Sequence, residues 1–222
     1  MATLEYIIKK YGFAGDYELP IIIKISRFKG FLTLLNELGF KVGAEIGVSK
    51  GRYARAMCQG IPGLKLYCVD PWEAYPDYVE QHDEAGQKLL NELLEVTKER
   101  LAPYDYEIIR KYSMDAVKDF KDESLDFVFI DGNHSFEYVV DDIAAWSKKV
   151  RKGGIVAGHD YWNSIDRVKE RKVLYIENTT PQEAMKLCQV KDAVDGWVKA
   201  NQIKPWFVII GDQCPSWFWV RQ

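Results

Sequence analysis

The sequence is short of the residues that mark three common classes of protein. Four cysteines in 222 residues (Cys58, Cys68, Cys188 and Cys214) show no C-x-x-C pair and no zinc-ligand spacing. A disulfide scaffold or zinc finger is therefore not expected, and reduced thiols in a cytoplasmic protein are. Lys and Arg number 30 against 33 Asp and Glu. The resulting net charge of −3 gives no electrostatic footprint for nucleic acid or an anionic membrane. No apolar run reaches the ~18 residues of a membrane span, and the N-terminus has no basic-then-apolar signal pattern. Internal repeats and low-complexity tracts are missing too. Histidine occurs only three times, at 82, 134 and 159, so each position carries weight.

Hydrophobic residues, at 47% of the chain, are enough for a full core. They fall into apolar runs separated by helical patterns. The first clear run, Val42-Gly-Ala-Glu-Ile-Gly-Val-Ser-Lys-Gly-Arg-Tyr53, reads as strand, glycine turn and helix, a layout that lets backbone N–H groups approach a nucleotide-like ligand. Glu45 lies inside that strand. A carboxylate there repels a pyrophosphate but suits an ammonium group or ribose hydroxyls, which favours S-adenosylmethionine over NAD. Further strands are expected at Leu64–Asp70, Tyr106–Tyr112, Ser124–Asp131 and Gly153–Tyr161. Trp206–Ile210 and Ser216–Val220 are expected to form an antiparallel pair at the sheet edge. Helical periodicity covers 20–38, 84–101, 138–150 and 181–201, with a short strand near 173–176. Alternating strands and helices give an α/β, doubly wound, mostly parallel seven-stranded sheet with helices on both faces and a C-terminal antiparallel hairpin. Residues 1–41 read as an N-terminal helical extension and 42–222 as the cofactor-binding domain.

Open parallel sheets bind ligands beyond the carboxyl ends of their strands. Glu45, Asp70, Asp115, Asp131, His134, His159 and Asp160 all fall at such ends. Asp70, followed by Pro71 and Trp72, stands where doubly wound folds grip ribose hydroxyls, or else caps a turn. Ser113 and Asp115, flanking Met114, either approach an adenine or cap the next helix. Asp131 and Asp160 end consecutive strands, and two facing carboxylates want a cation or a shared proton. Oxygen ligands suit Mg²⁺, whereas ligation by His159 shifts preference towards Zn²⁺, Mn²⁺ or Fe²⁺. The alternative is that Asp131 touches the cofactor and Asp160 starts a turn, with no metal. His134 has the chemistry of a general base, or it caps the following helix. His82 reads as a surface residue.

Glu45-Ile-Gly47…Gly51, Val69-Asp70-Pro-Trp, Phe129-Ile-Asp131-Gly-Asn-His134-Ser-Phe-Glu and Gly153-Gly-Ile-Val-Ala-Gly-His159-Asp160-Tyr resemble class I S-adenosylmethionine-dependent methyltransferases, of the bacterial small-molecule O-methyltransferase-like branch. The resemblance implies a Rossmann-like fold over about 42–220. It implies a methionine arm lined by Glu45, Gly47, Ser49 and Gly51, a ribose held by Asp70 with Pro71 and Trp72, and an adenine near Ser113, Met114 and Asp115. It also implies methyl transfer to a small-molecule hydroxyl, such as that of a sugar or natural product. Catalysis would fall to His134, Asp131 and His159, with Asp131, Asp160 and His159 around Mg²⁺ or another divalent ion. Ser49 departs from the usual middle glycine, and His159-Asp160 replaces the two acids or Asp-Asn of metal-dependent relatives. The rivals are an NAD-linked oxidoreductase and a cofactor-binding module without catalysis. The segment 72–78 and Tyr161-Trp162 offer aromatic surface for an acceptor. The aromatic C-terminal strands offer a face for a homodimer.

Overall fold

The computed structural model describes residues 2–13, 15, 18–73, 84–164 and 188–222. Its strands are β1 (Ile21–Ile23), β2 (Val42–Ile46), β3 (Lys65–Val69), β4 (Asp105–Ile109), β5 (Leu125–Ile130), β6 (Val150–Gly158), β7 (Phe207–Ile209) and β8 (Ser216–Val220). They form one eight-stranded sheet in the order β1-β7-β8-β6-β5-β2-β3-β4. All pairings are parallel except β6 with β8 and β7 with β8. The helices are α1 (Thr3–Tyr11), α2 (Leu32–Glu37), α3 (Arg52–Gly60), α4 (Glu84–Leu101), α5 (Ser113–Ala116), α6 (Phe136–Trp146) and α7 (Val190–Ala200).

Successive side chains of a strand point to opposite faces, and the core divides accordingly. Phe127, Phe129, Ile155 and Ala157 join α2 and α3 side chains in one apolar cluster. Val128, Ile130 and Val156 join those of α6 and α7 in the other. Both faces are covered, so each central strand is a continuous apolar run. The chain order reverses where β2 pairs with β3 on one side and β5 on the other. That reversal opens a crevice at the carboxyl ends of β2 and β5, the place where such sheets bind ligands.

Three expectations need correction. The helix expected over 20–38 begins late: Ile21–Ile23 is an eighth strand, parallel to β7. Three consecutive β-branched residues favour extended backbone. The helical path starts only after Ser26, whose hydroxyl accepts the N–H of Phe28, and passes through a π-helical turn at Arg27–Phe31 into α2. The terminal hairpin is not at the edge, because β8 lies between β7 and β6 and β1 closes that side. Trp217, Phe218 and Trp219 are buried within the chain's own core. Finally, α6 stops at Trp146, and Val150 already belongs to β6. The expectations at 74–83, which include His82 and the aromatic loop, lie outside the described residues. So do those at 173–176 and over the first part of 181–201.

Candidate functional site

The crevice is shaped by the glycine turn. Gly47 has φ +86°, and a Cβ there would lie 2.1 Å from the carbonyl oxygen of Asp131, so β2 and β5 come together only because residue 47 has no side chain. Ser49, in place of the usual middle glycine, takes the same left-handed region at φ 50°. Asp70 holds the loop in that form: one carboxylate oxygen accepts the N–H groups of Val48 and Ser49, the other that of Trp72. Trp72 is buried and donates its indole N–H to the Ser49 carbonyl at 2.8 Å. Burial pushes the Asp70 carboxyl above its usual range, against the pull of the three N–H groups.

Gly47, Ser49, Asp70, Trp72, Asp131 and Asn133 line one cavity of about 260 Å³, walled by Leu90 and Leu93 of α4. Pro71 and Glu73 continue it into a second hollow of about 500 Å³ bounded by Arg110, Tyr112 and Asp115. Ser113 turns away from both. Its hydroxyl donates to Asp142 and accepts the indole N–H of Trp146, while Met114 is exposed. Of the residues expected near an adenine, Asp115 alone lines the hollow.

Glu45 sits beneath the cavity on the Phe129 face of the sheet, fully buried, with Oε2 lacking any hydrogen-bond partner among the described residues. Burial and the neighbouring Asp131 raise its carboxyl well above the ordinary value, with Arg27 opposing. Arg27 was missed in the sequence because it lies in the stretch 20–38, whose apolar periodicity alone was read. Its guanidinium packs over the rings of Phe28 and Tyr53, 4.8 and 5.0 Å from their centroids, and Nη1 lies 3.7 Å from Asp131 Oδ2. Nε and Nη1 are buried and make no hydrogen bond among the described residues.

Beyond the tips of β5 and β6, four groups meet. His134 Nε2 lies 3.5 Å from Asp131 Oδ1 and 3.6 Å from Asp160 Oδ2. His159 Nδ1 lies 3.5 Å from the same Asp131 oxygen and 3.2 Å from Asp160 Oδ1. The His134 ring thus faces the carboxylates and does not cap α6; its backbone carbonyl accepts the N–H of Gln189 instead. Asp160, at φ 51°, is turned back towards the cluster. Burial alone would raise Asp131, but the two imidazoles outweigh it and hold its carboxyl well below the usual range. Burial opposes a charge on His134 as well, yet Asp131 and Asp160 together raise its pKa above that of free imidazole.

The two His134 separations exceed those of good hydrogen bonds, and His134 Nε2 is buried without such a bond among the described residues. Ligands ~2.0–2.2 Å from a tetrahedral ion lie roughly 3.3–3.6 Å apart. The two His134 separations match that spacing, and Asp131, His134 and Asp160, with ligand atoms within 4.8 Å of one another, offer a divalent cation a mixed N/O donor set.

A family described as a methyltransferase domain matches residues 44–161, just over half of the chain and the part that builds this crevice. The chain belongs to the methyltransferase-domain family. No curated protein matches it in sequence. Solved structures share its fold at low identity. One is an O-methyltransferase from Bacillus cereus in complex with SAH, at 16% identity and TM-score 0.58, covering 99% of this chain and 90% of that one. Another is the O-methyltransferase TomG from Streptomyces achromogenes, involved in tomaymycin synthesis and in complex with SAM, at 16% identity and TM-score 0.57, covering 86% and 78%. In this methyltransferase-domain protein Tyr161, expected to face an acceptor, donates its hydroxyl to Asp195 and packs on Trp206. No helix among the described residues is long and apolar enough to cross a membrane.

Proposed function

We propose that the protein transfers a methyl group from S-adenosylmethionine to a hydroxyl oxygen of a small molecule. One observation carries the reading: Asp131 belongs to two places at once. It lines the cavity formed by Gly47, Ser49 and Asp70, and its Oδ1 faces both imidazoles. A donor in the cavity and an acceptor at the histidines would meet at this residue.

The donor supplies a methyl group on a sulfonium, which leaves as a neutral thioether. Beneath the turn Glu45 would meet an ammonium, and Arg27, whose Nε and Nη1 make no hydrogen bond among the described residues, would meet a carboxylate. Two oppositely charged ends of an amino acid arm would thereby match Glu45 and Arg27. Gly47 and the left-handed Ser49 leave backbone close to the ligand. Asp70, fully engaged with the loop, keeps that backbone in place and presents the outer side of its carboxylate to ribose hydroxyls.

At the acceptor side, His134 takes the hydroxyl proton on Nε2 as the oxygen–carbon bond forms and the sulfur–carbon bond breaks. The carboxylates of Asp131 and Asp160, 3.5 and 3.6 Å away, stabilise the resulting imidazolium. His159 fixes Asp131 Oδ1 from the other side. A divalent cation held by Asp131, Asp160 and His159 would leave His134 Nε2 to take the proton and would lower the pKa of a bound hydroxyl. Most of the rate gain would come from positioning.

The test pairs binding with turnover. His134→Ala should keep its affinity for S-adenosylmethionine while turnover on phenolic or sugar hydroxyl acceptors falls by roughly 10²–10⁴. Unchanged turnover would refute the base. Cofactor binding without transfer to any acceptor would leave a binding module.

A further inference from the structure

The four-group cluster has a neighbour that belongs to neither the cavity nor the proposed base. The loop joining β7 to β8 brings Cys214 beside β6, so that a thiol sulfur, an imidazole nitrogen of His159 and a carboxylate oxygen of Asp160 all lie within 4.8 Å of one another. We propose that Cys214, His159 and Asp160 form a binding site for a thiophilic divalent cation, Zn²⁺ above all.

The loop is fixed at both ends. At its start, the N–H of Gly211 donates to the Ile25 carbonyl, and a Cβ at 211 would lie 2.2 Å from the Ile25 backbone. Next to it, the Asp212 carboxylate accepts the Ser26 hydroxyl at 2.8 Å and the Arg27 N–H at 2.5 Å. At its end, the Tyr161 N–H donates to the Pro215 carbonyl at 2.9 Å, which sets residues 214–215 against 160–161. His159 is anchored in turn: its N–H donates to Ile130, and its carbonyl accepts the Trp217 indole N–H. The three donors are thus carried on backbone that is already held in register, and little ordering would be needed on binding.

The donor types decide the metal. Mg²⁺ takes oxygen ligands and has little use for a thiolate, whereas sulfur with imidazole selects zinc. Around zinc, N and O ligands lie at ~2.0–2.2 Å and S at ~2.3 Å, so neighbours are roughly 3.3–3.7 Å apart. His159 Nδ1 and Asp160 Oδ1 are already 3.2 Å apart. Bringing the sulfur in by no more than about 1 Å completes three corners of a tetrahedron. The thiol loses its proton to solvent as the metal–sulfur bond forms. Three protein ligands leave the fourth corner for water or an acceptor oxygen. On the far side of Asp160, its Oδ2 lies 3.6 Å from His134 Nε2. Asp160 therefore stands between two sets of nitrogen donors. Local spacing in the sequence did not reveal this site because its cysteine comes from a loop far along the chain from His159 and Asp160.

Cobalt(II) tests the assignment without any need for turnover. Titration of the full chain with Co²⁺ should give a near-ultraviolet thiolate-to-cobalt charge-transfer band and intense visible absorption of four-coordinate cobalt, both removed by one equivalent of Zn²⁺. In Cys214→Ser the charge-transfer band should vanish, and zinc affinity should fall at least tenfold. Cys214→Ser loses the band also if it misfolds, so the wild-type chain supplies a second measurement. Cys58, Cys68 and Cys188 are buried, and Zn²⁺ but not Mg²⁺ should slow alkylation of Cys214 followed by mass spectrometry. Cobalt binding without the band, or alkylation unaffected by zinc, overturns the proposal. A chain that fails to bind S-adenosylmethionine yet shows the band would overturn the transfer reading and leave the metal site standing.

Discussion

Asp70 and Asp131 look alike in the sequence, each an acid at the carboxyl end of a buried parallel strand, but the structure uses them differently. The Asp70 carboxylate is taken up by three backbone N–H groups and fixes the shape of the glycine turn. Among the described residues the Asp131 carboxylate meets side chains, with two imidazoles at one oxygen and a guanidinium at the other. Burial acts on both, yet Asp70 ends above the usual carboxylate range and Asp131 far below it. Backbone donors make a scaffold, while titratable and cationic partners make a charge centre able to take part in chemistry. Position at a strand end does not separate these roles; the identity of the partners does.

The largest expected effect follows from breaking the charge centre. Asp131→Asn removes the counter-charge of His134, His159 and Arg27 together, and kcat should fall roughly 10³-fold. Thermal unfolding should move by less than it does for Asp70→Asn. A kcat within threefold of wild type would place Asp131 with the scaffold. Asp70→Asn keeps one acceptor oxygen but turns an amide donor towards backbone N–H groups. It should cost about 1–3 kcal/mol of stability, read by denaturant unfolding, and weaken S-adenosylmethionine binding through the loop.

A third expectation concerns pH. His134 must be neutral to accept a proton, and its pKa is raised by Asp131 and Asp160 despite burial. The acid limb of kcat/KM should therefore fall above pH 6.5, the value of free imidazole, and move down in Asp160→Asn. A limb unmoved by that change would detach Asp160 from the base. Stability has its own pH signature elsewhere. Burial pushes Asp142 up to about 7, opposed by Ser113. A carboxyl raised on folding favours the folded state while protonated, so that stability is full below pH 4 and is lost as pH rises towards 7. The loss should reach roughly 2–4 kcal/mol, and Asp142→Asn should flatten it.

The smallest effect is expected at Arg27. Arg27→Met keeps the apolar stem over Phe28 and Tyr53 and removes the donors, so affinity for S-adenosylmethionine should fall about tenfold, one charge-assisted contact's worth. An unchanged dissociation constant would assign Arg27 to Asp131 alone.

The sequence was informative where chemistry is local. The glycine turn, the alternation of strands and helices, and the Asp131-to-His134 and His159-Asp160 pairs are each contained in a few consecutive residues. Their backbone demands, such as Gly47 against the Asp131 carbonyl, leave a trace in the residue type. What was not legible depended on distant partners. Ile21–Ile23 has β-branched residues suited to a strand, but its partner β7 lies far along the chain. Ser113 has the right neighbours for an adenine contact, but Asp142 and Trp146 of α6 claim its hydroxyl. Arg27 and Cys214 reach the site from segments that share no motif with it.

The most direct test is a calorimetric titration of the wild-type chain with S-adenosylmethionine and, in parallel, with NADH. Saturable heat with one donor molecule per chain and none from the nicotinamide would agree with a crevice whose acid lies beneath the turn. Saturable heat from NADH, or silence from S-adenosylmethionine at millimolar concentration, would contradict the claim that Glu45, Asp70 and Asp131 surround a methyl donor.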